Sequence, residues 1–168
     1  SVTGDSYVGG LVGSQAGGSI SNSYATGNVT ATAGIPGGGN GYVGGLVGKA
    51  SGNASITGSY ATGTVNGPYS VGGLVGDTLG NITITRSYAT GPVVGGTGSS
   101  DWYFGGLVGQ LRNGCTLTES YAVGSVSGYQ YTGGLIGWNE GAVTRSYAAG
   151  NVSGTYNVGG LAGAQYGT

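Results

Sequence analysis

The string Gly-Gly-Leu-x-Gly occurs six times in this 168-residue chain, starting at Gly9, Gly44, Gly72, Gly105, Gly133 and Gly159. Five copies are followed by a second string, Ser-Tyr-Ala-x-Gly, whose Tyr stands 14 to 16 residues after the first Gly, as Tyr24, Tyr60, Tyr88, Tyr121 and Tyr147. Such self-similarity marks a repeat array, in which each unit buries its apolar face against its neighbours.

Successive starts lie 35, 28, 33, 28 and 26 residues apart, while the offset between the two strings barely changes. The extra length therefore collects in one corner, residues 30–41 of the first unit and 94–102 of the third. Insertions confined to one corner are loops on a fixed scaffold. The predicted organisation is one repeat domain over 1–168, with coils starting near 9, 44, 72, 105 and 133 and a partial coil from 159.

Forty-three glycines invite two other readings, collagen and disorder. Collagen requires Gly at every third position with abundant Pro, and Gly-Gly pairs with three prolines break that rule. A disordered linker has no reason to keep Leu, Ile and Tyr at fixed offsets. In Ile82-Thr83-Ile84-Thr85-Arg86-Ser87-Tyr88, apolar and polar residues alternate with period two, and β-branched residues are concentrated. No window carries helical spacing. The chain is predicted to be all-β, a parallel β-solenoid of about five stacked coils of 26–35 residues.

Stacking turns aligned positions into ladders. Leu11, Leu46, Leu74, Leu107, Leu135 and Leu161 are predicted to stack inside, as are Ile20, Ile56, Ile84, Leu117 and Val143, with a third column of Val29, Val65, Val93, Val126 and Val152. Each buried aliphatic side chain contributes about 1.5–3 kcal/mol, which offsets the ordering of a glycine-rich coil only when coils stack. Cys115, the only cysteine, aligns with Ile82 and reads as a small buried apolar residue. The tyrosines form a ladder of their own, read as cover for a core edge rather than a stacking platform for sugars. The residue before Ser-Tyr is Arg86, Glu119 and Arg145 in three successive units, and Lys49 and Asp77 follow the glycine string in adjacent ones. Alternating sign suits neighbouring rungs, so Arg86, Glu119 and Arg145 form a predicted charge ladder and Lys49 a partner for Asp77.

Chemistry is nearly absent from this residue set. With no His and one Cys, no Ser-His-Asp or Cys-His arrangement can be built and the usual zinc ligands are lacking. The five acidic residues fall in different units, without the paired carboxylates of a glycosidase. No catalytic, metal or cofactor residue is expected. Four basic against five acidic residues leave no basic stripe for nucleic acid, and no apolar run spans a membrane.

The sixfold Gly-Gly-Leu-x-Gly followed by Ser-Tyr-Ala-x-Gly-x-Val resembles the GLUG motif of large bacterial surface and secreted proteins, including adhesin-like proteins and some immunoglobulin A peptidases. The resemblance implies an extracellular or cell-surface β-solenoid and carries over no catalytic residue, because peptidase activity in such proteins belongs to other domains. Ser1-Val2-Thr3-Gly4 matches Ser125-Val126-Ser127-Gly128, so the chain starts in mid-unit and is expected to be a segment of a longer secreted protein. Three roles follow as expectations. The first is a non-catalytic structural or adhesive segment, its partner a host-surface protein or glycan met by Asp101, Trp102 and Tyr103 in the second insertion. The second is a filament subunit self-associating through open solenoid ends. The third is an ice-binding solenoid, for which the column Thr26, Thr62, Thr90 is a weak support because it continues as Val123 and Ala149.

Overall fold

The computed structural model describes residues 1–32 and 41–166, and all regular structure among them is β-strand. Every strand pairing is parallel, and each joins equivalent positions of successive units. The chain is thus a parallel β-solenoid with three faces. The first face, ten strands among the described residues, carries the valine column and the residues leading into each glycine string; the second, of nine, follows the string; the third, of five, holds the Tyr-Ala pairs.

Eight of the twelve residues of the first insertion, 33–40, lie outside the described residues. Where units are joined without insertion, the valine column and the motif entry merge into one strand, as in Val126–Gly133 and Val152–Gly159. The stretch from Val65 to Gly72 has the same length yet breaks into Val65–Gly67 and Val71–Gly72. Pro68 lies in the gap, and without an N–H it cannot continue a ladder.

Two cores run along the stack. One joins the Leu, Ile and Ala columns, including Leu46, Leu74, Leu107, Leu135, Ile56, Ile84 and Leu117. The other joins Val29, Val65, Val93 and Val126 to Val8, Val43, Val71 and Phe104. The glycine string is the waist between them. A Cβ on Gly44 would fall on the Val47 carbonyl oxygen, one on Gly45 would strike the Gly73 carbonyl oxygen, and one on Gly48 would stand 2.8 Å from the Val8 nitrogen. These contacts are with backbone, so no rotamer change relieves them, and the motif's glycines answer to close approach.

The end coils correct one expectation. Leu46, Leu74, Leu107 and Leu135 are fully buried, but Leu11 is 50% and Leu161 45% exposed, because each is covered by one neighbouring coil only. Cys115 is buried beside Leu111 and Leu117, in the rung of Ile82 as its alignment predicts.

The serine of Ser-Tyr has a role that the repeat alone does not explain. Each Oγ donates to the carbonyl two residues earlier, Ser59 to Thr57, Ser87 to Thr85, Ser120 to Thr118. Each also accepts the N–H of the preceding coil's serine: Ser23 to Ser59, Ser59 to Ser87, Ser87 to Ser120 and Ser120 to Ser146, at 3.1–3.2 Å. The ladder satisfies backbone donors at a sharp corner, where Asn22, Gly58, Arg86, Glu119 and Arg145 all adopt positive φ.

Candidate functional site

Two rows of side chains face each other along the waist. The first consists of the residues two positions before each glycine string, Tyr7, Tyr42, Ser70, Tyr103, Tyr131 and Asn157; the second of those just after the string, Ser14, Lys49, Asp77, Gln110, Trp138 and Ala164. The third glycine of the string lets the rows approach: a Cβ on Gly137 would stand 2.6 Å from the Phe104 nitrogen. Across this line the Lys49 ammonium lies 5.6 and 5.3 Å from the ring centres of Tyr7 and Tyr42, Gln110 Nε2 donates to Ser70 Oγ at 2.8 Å, and the Trp138 ring meets Tyr103 and Tyr131 edge to face. Together they form one seam along the solenoid.

Its aromatic end is dense. Tyr103 and Tyr131 stack at 5.3 Å, Trp138 stacks on Tyr166 at 4.2 Å, and Tyr69 meets Tyr103 edge-on at 5.3 Å. Trp102 borders this group, 5.9 Å from Tyr103 and 6.5 Å from Tyr131, and is 36% exposed. Tyr103 and Tyr131 hold φ of 69° and 53°, a conformation that costs an aromatic residue about 1–3 kcal/mol and aims the ring out of the corner.

Of the three residues expected to form a contact loop, Trp102 and Tyr103 belong to the strand Trp102–Gly105, paired with Val126–Gly133. The loop before them closes on itself, with Gly98 N–H donating to Asp101 Oδ2 at 2.6 Å and Trp102 Nε1 to the Ser99 carbonyl at 3.0 Å. Asp101 thus fastens the loop while the rings join the seam. Tyr69, Tyr131, Trp138 and Tyr166 are absent from the expected set. They sit at four different offsets from the first Gly of their string, Tyr69 three before it, Tyr131 two before, Trp138 five after and Tyr166 seven after, so no single repeat column gathers them.

The seam's polar centre corrects the expected Lys49–Asp77 pair. The two share a rung, but Lys49 lies over the tyrosine rings while Asp77, 1% exposed, accepts from Arg112 Nε at 2.7 Å. Burial pushes the Asp77 carboxyl above its ordinary value, against the opposing hydrogen bond and charge of Arg112. Burial alone would lower the Arg112 guanidinium, yet Asp77 raises it on balance. The two directions agree once exposure is weighed: desolvation dominates for the enclosed carboxyl, and pairing for the guanidinium that still reaches water. Burial likewise raises the Tyr69 and Tyr103 hydroxyls, leaving both neutral donors at physiological pH.

On the opposite side, Tyr24, Tyr60, Tyr88, Tyr121 and Tyr147 stack at 4.9–5.2 Å with planes within 7° of parallel. Each inner ring has both faces covered by neighbours, which leaves no flat surface for a sugar. Arg145 Nε and Nη2 both reach Glu119 Oε1, at 3.1 and 2.7 Å, while Arg86 stands one rung from Glu119 without an ion pair. Among the described residues no three His, Cys, Asp or Glu side chains converge as metal ligands would.

The GLUG motif matches at residues 4–30, 39–66 and 128–153, so the chain carries GLUG repeats at three positions. No curated protein and no solved structure matches the chain.

Proposed function

We propose that this GLUG-repeat region is a non-catalytic structural and adhesive segment of a secreted or cell-surface protein, a spacer that presents the aromatic seam to a host-surface glycan or protein. The observation that carries the reading is the cluster of Trp102, Tyr103, Tyr131 and Trp138, held by backbone ladders and partly open to solvent. Aromatic groups on a fixed scaffold bind with little ordering cost, and Tyr and Trp dominate binding energy at many interfaces. The pair of the buried Asp77 with Arg112 and the Gln110–Ser70 bond brace the same line. In a glycan-array and cell-binding assay, Trp102→Ala combined with Trp138→Ala is expected to remove most binding while the fold persists. Unchanged binding by a folded variant would overturn the reading.

A second reading, assembly into filaments, draws on the strand registers, which continue unbroken from Val2–Gly4 through Val152–Gly159. Electron microscopy at high protein concentration separates the two, since lone short rods count against polymerisation.

A further inference from the structure

The second face carries a regular surface that neither reading uses. One strand segment per coil reads Ser19-Ile20-Ser21, Ser55-Ile56-Thr57, Thr83-Ile84-Thr85, Thr116-Leu117-Thr118 and Ala142-Val143-Thr144. The central aliphatic residues point into the core, so those on either side point out. Strand pairing aligns them in two ranks: Ser19, Ser55, Thr83 and Thr116, ending at Ala142, and Ser21, Thr57, Thr85, Thr118 and Thr144. The ranks repeat every ~4.8 Å along the stack and lie roughly 6.6 Å apart across it.

None of these nine hydroxyl residues is buried. Apart from a 3.0 Å contact between the Thr118 and Thr144 hydroxyls, none of their hydroxyl groups hydrogen-bonds another described group. The ranks contain no charge and no aromatic ring, and Arg86, Glu119 and Arg145, which follow the second rank in sequence, stand at the positive-φ corner. Threonine χ1 is stiff, so methyl and hydroxyl groups repeat with the backbone. Such a face offers nothing to an anion, a cation or a protein hot spot. It offers a neutral, preordered lattice of hydroxyls and methyls whose partner must itself repeat in two dimensions on the scale of a few ångströms.

We propose that this face binds ice, with water anchored between the two ranks joining the crystal lattice. The Thr26, Thr62, Thr90 column is a different surface and plays no part. The inference is independent of the aromatic seam.

The test is thermal hysteresis and inhibition of ice recrystallisation by the 168-residue chain. The unmodified protein is expected to show both. Thr85→Tyr with Thr118→Tyr is expected to abolish most of each, while Thr62→Tyr with Thr90→Tyr leaves them unchanged, with circular dichroism confirming the fold. Should the tyrosine variants not fold, Thr85→Ser with Thr118→Ser, which deletes two methyls from the lattice, is expected to weaken both clearly. An inactive unmodified protein, or equal loss from the grid and control variants, would overturn the proposal.

Discussion

The tyrosine ladder and the aromatic seam contain similar side chains and differ in almost everything else. The ladder has one ring per unit, nearly parallel planes and a spacing that varies by tenths of an ångström. The seam has rings from several offsets, edge-to-face contacts and two tyrosines at positive φ, gathered toward the later coils. Where every unit repeats a residue, the reason lies in stacking. Where a unit departs from its neighbours, stacking does not supply the reason, and a site is worth seeking there.

That division predicts unequal tolerance. The largest effect is expected at the waist: Gly106→Val would drive its Cβ into the Gly134 carbonyl oxygen, and no side-chain movement relieves a clash with backbone. Loss of the folded state by circular dichroism is expected; a cooperatively melting variant would show that the waist can open.

Next comes the serine ladder. Ser87→Ala leaves the buried N–H of Ser59 without its acceptor and should cost about 1–3 kcal/mol in chemical denaturation. A cost comparable to that of an exposed serine would mean that the ladder is incidental.

A smaller, opposite change is expected where the repeat is interrupted inside a core. Thr132 occupies the column of Val43, Val71 and Phe104, is fully buried and has no partner for its hydroxyl. Thr132→Val should stabilise by about 1 kcal/mol, and destabilisation would reveal a partner for that hydroxyl.

The smallest effect is a slope. Because burial raises the Asp77 pKa, its contribution to stability is fully present below the unfolded-state carboxylate pKa and is lost as pH rises through the higher folded value. Asp77→Asn removes that titration, so its stability relative to the unmodified protein should improve as pH rises across the acid range. The opposite trend in paired denaturation curves would mean that the Arg112 pair outweighs burial.

The architecture was legible because it is written several times. The Leu, Ile, Val and Tyr columns predicted from offsets are the rungs found in the structure, and Cys115 sits where its alignment with Ile82 put it. The seam was legible only at Trp102 and Tyr103, since its other rings stand at several offsets and become neighbours only when the waist folds them together. Lys49 and Asp77 share a rung as expected, yet ring faces and Arg112 compete for them within a side chain's reach. The positive φ of Arg86, Glu119 and Arg145 was hidden because their side chains give no sign of a left-handed corner.

The serine ladder has one further consequence. Every donating Ser N–H in it, from Ser23 through Ser120, points toward the later coil. The serine ladder is therefore directional, its N–H donors facing one pole and its hydroxyl acceptors the other. A two-fold dimer joined pole to pole would set like groups against each other. Only a head-to-tail neighbour, whether more of the same chain or another copy, continues the ladder, and such a contact joins two different surfaces.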